Sequence, residues 1–321
     1  MHRTLEITVS PADTEQVCRE LEPLKYVVGL SLNRGVSIKP PGDCITVHVL
    51  NRGVDEVLRR VQAITATKTG PAKVDFRKQP STLSIVTAEV TSIIDPEQQT
   101  LLENDVDEGL WEEMETGLRH QGRVTSNYLA LMALGGAIAT IGLVSEPAPQ
   151  AIAFTAASVI APGFEPVAKI PLGLVLRRWN VVQRGLVSAG LGYMLLVIAS
   201  ALTMLVLLAT NTVTVAEFIG NPEVEHISHP TLKEMLVSAC AAAAGIVMIA
   251  AYRRTVIAGP LIALVIIPAA SMIGASLAAG QSTLIWEAFE RFGLDVLFII
   301  VLGIIVFVIK QAFVHRRQTL M

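Results

Sequence analysis

The chain has 321 residues, 52% of them hydrophobic and 17% charged, with a mean hydropathy of +0.54 and a formal net charge of -3. Soluble domains carry about 25% charged residues, so this composition argues against an ordinary soluble protein and for an integral membrane protein. The near-neutral total conceals a sorting of charge: ten acids and no Lys or Arg lie between 81 and 118, and after Gly122 the chain is mainly apolar.

The opening residues contain no apolar core of a cleavable leader, so no signal peptide is expected. "TLEITVS" alternates Leu5, Ile7 and Val9, the period of a strand. A helix follows with Val17, Leu21 and Leu24 on one stripe and Asp13 placed to cap it. "YVVGLSL" and "CITVHVL" read as two strands around a Pro40-Pro41-Gly42-Asp43 turn. A second helix carries Val54, Val57, Leu58, Val61 and Ile64, and "AKVDFRK" reads as a closing strand. The order βαββαβ over residues 1–80 predicts a ferredoxin-like α/β domain. Cys18, Cys44 and Cys240 are scattered, without the spacing of a disulfide framework, a zinc site or a redox pair. The weak basic excess lacks an aromatic RNA-binding signature, so nucleic acid is not an expected partner. No phosphate loop, HExxH or GxSxG motif occurs, no cofactor is implied, and an enzyme is not expected.

Residues 81–122 read as an acidic connector. Within it, Leu110, Trp111, Met114 and Leu118 make one apolar stripe, and their acidic outer face favours packing on protein over anionic lipid.

Six apolar segments follow, at 125–145, 148–176, 185–210, 231–251, 255–280 and 293–313, each long enough for a bilayer. Ten bases fall on one side of them: Arg119, Arg123, Arg177, Arg178, Arg184, Arg253, Arg254, Lys310, Arg316 and Arg317. Only Lys233 and Arg291 fall on the other. The positive-inside rule then places both termini in the cytoplasm, with the protein in the inner (plasma) membrane.

A shift of 106 residues superimposes the first three segments on the last three, and "SVIAP" (158–162) on "LVIIP" (264–268). Three spans per unit make the second unit enter from the opposite side. The expected domain, 123–316, is therefore two inverted three-helix repeats, about 125–210 and 231–316. Pro162, with Gly163 and Pro166, and Pro268, with Gly259 and Pro260, should break the second and fifth helices, and transporters build midplane sites at such breaks. Glu165 and Lys169 are the acid and base set deep within a predicted span, four residues apart on one helical face. They read as an ion-coupling site, a structural ion pair or a snorkelling pair.

"IAPGFEP" after "NYLALMALGGAIATIGLVS", with Pro162 and Pro166, and the mirror "GPLIALVIIPAA" resemble the membrane-protein family called domain of unknown function 389. The resemblance covers about 120–310 and implies the membrane architecture, with a small α/β domain in front, but no activity. Ala269 stands where the mirror motif of the family has a second proline. Glu165 and Lys169 are not part of the motif.

In the outer loop, His226 and His229 beside Glu223 and Glu225 are weak metal candidates. The expectation is a transporter or channel for a small solute or ion, embedded in the lipid bilayer and forming a homo-oligomer. The competing class is a non-transporting membrane sensor or scaffold whose cytoplasmic domain binds a ligand or partner.

Overall fold

The computed structural model describes residues 2–67, 83–90, 92–105, 108–251 and 258–313. They fall into two compact units, one up to Glu108 and one from Gly109 to Ala312.

The first unit runs β1 (His2–Val9), α1 (Pro11–Leu21), β2 (Val27–Ile38), β3 (Pro41–Val49), α2 (Val54–Thr67), β4 (Ser84–Val90) and the short α3 (Gln99–Glu103). The sheet order is β2-β3-β1-β4 with every pair antiparallel. The period-2 expectation holds: Leu5, Ile7 and Val9 on β1 and Ile45, Val47 and Val49 on β3 are fully buried. So are Val17 and Leu21 of α1 and Val54, Val57 and Val61 of α2. Each such side chain contributes about 1.5–3 kcal/mol by leaving water.

Two local readings need correcting. Ser10, not Asp13, caps α1, because Pro11 at the first helical position fixes the start there and the Ser10 side chain accepts from the Ala12 N–H. "AKVDFRK" lies outside the described residues, and the fourth strand is Ser84–Val90, beyond the boundary read at residue 80. It lies along β1, Ile85 opposite Ile7.

The β2–β3 hairpin is tied to α1 through one carboxylate. Asp43 accepts from the Thr14 hydroxyl at 2.7 Å and from the Gly35 N–H at 2.8 Å. Gly35 has φ 66°, a left-handed conformation that suits glycine.

The second unit is helical: α4 (Trp111–Gln121), α5 (Ser126–Leu143), α6 (Pro147–Ile160), α7 (Phe164–Val175), α8 (Trp179–Ala209), α9 (Val215–Ile219), α10 (Pro222–Ser228), α11 (Leu232–Ala250), α12 (Ala258–Ala278) and α13 (Ser282–Phe313). The connector helix packs on protein, as its charge pattern predicts. Leu110, Trp111, Met114 and Leu118 are buried, α4 lies on α7, and the Trp111 ring meets Phe307 at 6.1 Å.

Among the described residues, four helices, α5, α8, α11 and α13, are long and apolar enough to cross a membrane, and the bent pair α6–α7 adds a fifth. The count among those residues is thus four to five candidate spans, and Val265–Ala278 within α12 is a further apolar stretch. Large apolar residues also cover the outsides of these helices: Leu186, Met194, Leu202 and Val206 of α8 and Val301, Ile305 and Val308 of α13 are exposed. Such outward faces suit a protein embedded in lipid rather than water.

Close contacts give the running directions. Tyr128 meets Gly192 and Gly136 meets Leu196, so α5 and α8 run together. Gly163 meets Tyr193 and Gly173 meets Val182, so α7 runs against α8. Ile267 lies by Gly163 at the level of Tyr193, while Gly274 touches Val197, so α12 runs with α8. Phe292 meets Tyr193 edge to face and Gly303 touches Pro171, so α13 runs against α8. Bonds from Arg291 to Ser238 and from Lys310 to Ala250 set α11 parallel to α13.

The Thr14 hydroxyl and then the Gly35 N–H hold the Asp43 carboxyl below the usual Asp range. A depressed folded pKa contributes stability that is present above the ordinary Asp pKa and is lost as pH falls through the folded one. Asp43→Asn should therefore speed hydrogen exchange of the β2–β3 amides at pH 7. The difference from the parent protein should shrink as pH falls through the depressed pKa.

Candidate functional site

The expected break in the second span is present. Helix α6 ends at Ile160, α7 starts at Phe164, and the two axes differ by 50°. Pro162 has no N–H to give the Ser158 carbonyl. The Gly163 N–H turns to Ala161 O at 2.8 Å rather than to Val159 O. Ala161 is extended, with ψ 117°. Two carbonyls at the end of α6 thus lose their regular helical donors. Pro166 sits in the first turn of α7, where a missing N–H is harmless.

Glycine at 163 is required by a close approach. A Cβ there would lie 2.7 Å from the Tyr193 hydroxyl, which donates to Gly163 O at 3.0 Å. This bond from α8 holds the break in place.

Glu165 occupies the first turn of α7, where the helix dipole favours negative charge. The residue is partly exposed, yet its Oε2 is sealed and has no hydrogen-bond partner. Lys169, one turn on, is 4% exposed and donates to the Gly122 carbonyl at the end of α4. It neither snorkels nor forms an ion pair with Glu165. The two share a helical face, but the ammonium is taken up by the carbonyl that caps the end of α4. Lys310 does the same at the end of α11, donating to Ala250 O at 2.6 Å. Cations satisfying the last carbonyls of a helix are a favourable arrangement.

The second break is not formed. Helix α12 is continuous from Ala258 to Ala278 with Pro268 inside it. Gly259 and Pro260 fall in its first turn, where proline is tolerated. By the 106-residue shift, Ala269 and Met272, good helix formers, stand after Pro268 where Gly163 and Pro166 follow Pro162.

A further buried pair escaped the sequence reading. On α13, Arg291 and Asp295 are 7% and 4% exposed, with Nε to Oδ2 at 3.4 Å. Arg291 Nη2 also donates to Ser238 Oγ of α11 at 2.6 Å. The apolar run read as the last span starts at 293, but the helix starts at Ser282, which carries this pair inside it. Its i, i+4 spacing was the available signal. The Tyr193 ring packs edge-on at 4.8 Å from Phe292, one helical turn before Asp295.

The outer histidines do not converge. His226 lies 3.3 Å from Glu234 and His229 3.9 Å from Glu287. No group of three or more metal-ligating side chains exists among the described residues.

Small residues set the distances between helices around the break. A Cβ at Gly136 would lie 2.4 Å from Leu196 O, and one at Gly274 2.2 Å from Val197 O. The Ser200 hydroxyl bonds Gly136 O at 3.1 Å across the first of these contacts.

Residues 158–301 match the model of a family described as domain of unknown function (DUF389), the family that the "IAPGFEP" stretch resembles. No curated protein and no solved structure matches the chain. The matched region begins at the last turn of α6 and holds the break, Glu165, Tyr193, Arg291 and Asp295.

Gly274→Val should push α12 off α8 and destabilise the protein by about 1–3 kcal/mol or more. Gly190→Ala, with nothing within 4 Å of the new methyl, should leave stability nearly unchanged. Thermal melts of the detergent-solubilised protein compare the two.

Proposed function

We propose that the chain is an integral membrane transporter or channel for a small solute or ion. Its pathway runs beside the α6–α7 break, and Glu165 carries the coupling proton or cation. The observation behind this reading is the sealed, unpartnered Oε2 of Glu165 at the lip of a broken apolar helix. A charged side chain at the centre of a membrane helix costs about 2.5–3.5 kcal/mol on insertion scales. A carboxylate oxygen kept there without a hydrogen-bond donor suits a group that exchanges protons or ions.

The reading treats the helices as two inverted repeats in a six-span domain. In its favour, α5 and α8 run opposite to α6–α7, whereas α12 runs opposite to α11 and α13. Shifted by 106 residues, α5 falls on 232–249, against Leu232–Ala250 for α11, and α8 falls on 285–315, against Ser282–Phe313 for α13. Only the first repeat carries a full break, so the pathway is asymmetric. The N-terminal unit is read as ferredoxin-like from its βαββαβ order and its 2-3-1-4 antiparallel sheet. The exposed Val36 and Ile38 of β2 and Val86 of β4 lie on its two edge strands and favour edge pairing in a homo-oligomer. The reading takes the end of the bundle near the α7–α8 junction, and both termini, as cytoplasmic in an inner membrane; Arg177, Arg178 and Arg184 there support it by the positive-inside rule.

A sensor or scaffold reading draws on a cleft of about 360 Å³ in the N-terminal unit, bordered by His2, Ile94, Gln99 and Glu103. It would make that unit the binding element and the membrane helices its anchor.

Proteoliposomes should show proton or cation flux with the parent protein and at least a tenfold loss with Glu165→Gln at unchanged folding, the size of loss expected when a positioned acid–base group is removed. Flux that is equal in both sinks Glu165 as the coupling group, and no flux in either favours the sensor. Single cysteines at Glu225 and Arg178 should be labelled by impermeant reagents from opposite faces of the membrane. Labelling of both from one face would overturn the orientation.

A further inference from the structure

Hydroxyl side chains in this bundle follow a rule. Thr140, Ser158, Ser188, Ser200 and Thr203 each bond the carbonyl four residues earlier, at 2.6–2.9 Å. Ser271 of α12 breaks it. The residue is 0% exposed and its Oγ has no hydrogen-bond partner. Ser276 is the other such case on this helix.

The surroundings of the two serines differ. Ile267, Ser271 and Gly274 occupy positions i, i+4 and i+7, one stripe of α12. At one end of that stripe Ile267 lies 3.6 Å from the Cβ position of Gly163, and at the other Gly274 touches Val197 of α8. Ser271 therefore lies on the face that looks toward the α6–α7 break. Ser276 is nine residues beyond Ile267, about half a helical turn around at 3.6 residues per turn, on the opposite face.

The break presents the Ser158 and Val159 carbonyls, stripped of their helical donors, at the negative end of α6. The sealed Oε2 of Glu165 lies on the far lip. By the 106-residue shift, Ser271 is also the residue that corresponds to Glu165 in the second repeat.

We infer that the end of α6, the Ser271 hydroxyl and the nearby Glu165 charge form a binding site for a small, dehydrated alkali cation of sodium type. The ligand set is all oxygen, carbonyl and hydroxyl with one carboxylate nearby, which selects hard cations over transition metals. A single carboxylate beside neutral oxygens matches a monovalent ion better than a divalent one. A divalent ion would call for the acidic cluster that the described residues lack. Carbonyls at the end of a half-helix are a recurring way to hold sodium in a membrane. The site rests on the transport reading, for which it names the coupling ion, but it is tested by binding alone.

The test is thermal stability of the detergent-solubilised full chain in sodium, potassium or N-methylglucamine chloride at equal ionic strength. Sodium should raise the melting temperature above N-methylglucamine. Ser271→Ala should raise the half-maximal sodium concentration about tenfold or more, and Ser276→Ala should leave it unchanged. A purely structural Ser271 predicts otherwise: removing an unpartnered buried hydroxyl would be neutral or stabilising in every salt. No sodium-specific shift in the parent protein, or the same shift in Ser271→Ala, overturns the site. Sodium binding without flux would retain the site and reject transport; flux without sodium-specific stabilisation would do the reverse.

Discussion

Inside an apolar layer a backbone carbonyl has no water to turn to, so each must find a donor within the protein. That requirement is met along α5, α8, α11 and α13 by unbroken helix and is suspended at Pro162. The neighbourhood of this position is arranged around the suspension. Gly163 has no side chain, so the Tyr193 hydroxyl can reach its carbonyl. Tyr193 is held in turn by Phe292, and α12 passes the break with Ile267 against Gly163. Glycines at 136 and 274 let α8 approach both α5 and α12 closely enough for this to happen. Replacing Pro162 with a helix former would remove the reason for all of them.

The buried ionisable groups fall into two kinds. Lys169 and Lys310 each cap the end of a helix, Gly122 after α4 and Ala250 of α11, and so act as structural cations. The Glu165 Oε2 has no such assignment. Arg291 and Asp295 lie between these cases, paired with each other and with Ser238 yet deep in α13. A charge with an evident partner is accounted for by folding. One without asks for a ligand.

The sequence made legible whatever depends on period and composition. The alternation of Leu5, Ile7 and Val9 gave a buried strand face, and the stripe from Trp111 to Leu118 gave a helix packed on protein. The break at Pro162 was readable because glycine and a second proline flank it. The continuity of α12 was not, since proline tolerance depends on what its neighbours are and Ala269 and Ala270 continue the helix. Strand β4 was missed because its partner, β1, lies some eighty residues away and "SIVTAEV" offers little of its own. Arg291 was read as lying before the last span because the apolar text starts at 293, whereas the helix starts at Ser282 and buries Arg291 beside Asp295. Nothing in a serine's letter distinguishes Ser271 from Ser200; only the absence of its back-bond does.

Helix α12 makes its closest packing with α5, α6 and α8, which precede it in the chain by some fifty residues or more. Its fit on α8 needs a bare backbone at Gly274 against Val197. A ribosome delivers these three earlier helices to the bilayer first. Until α12 arrives, the part of α8 around Val197 that receives Gly274 and the side of the break that faces Ile267 lack their protein neighbour. The interval between synthesis of Ala209 and of Ala278 is thus when the newborn protein leaves that side of the break uncovered. Insertion machinery and quality-control proteases would meet it in that form. A chain truncated before Ala258 would stay in it.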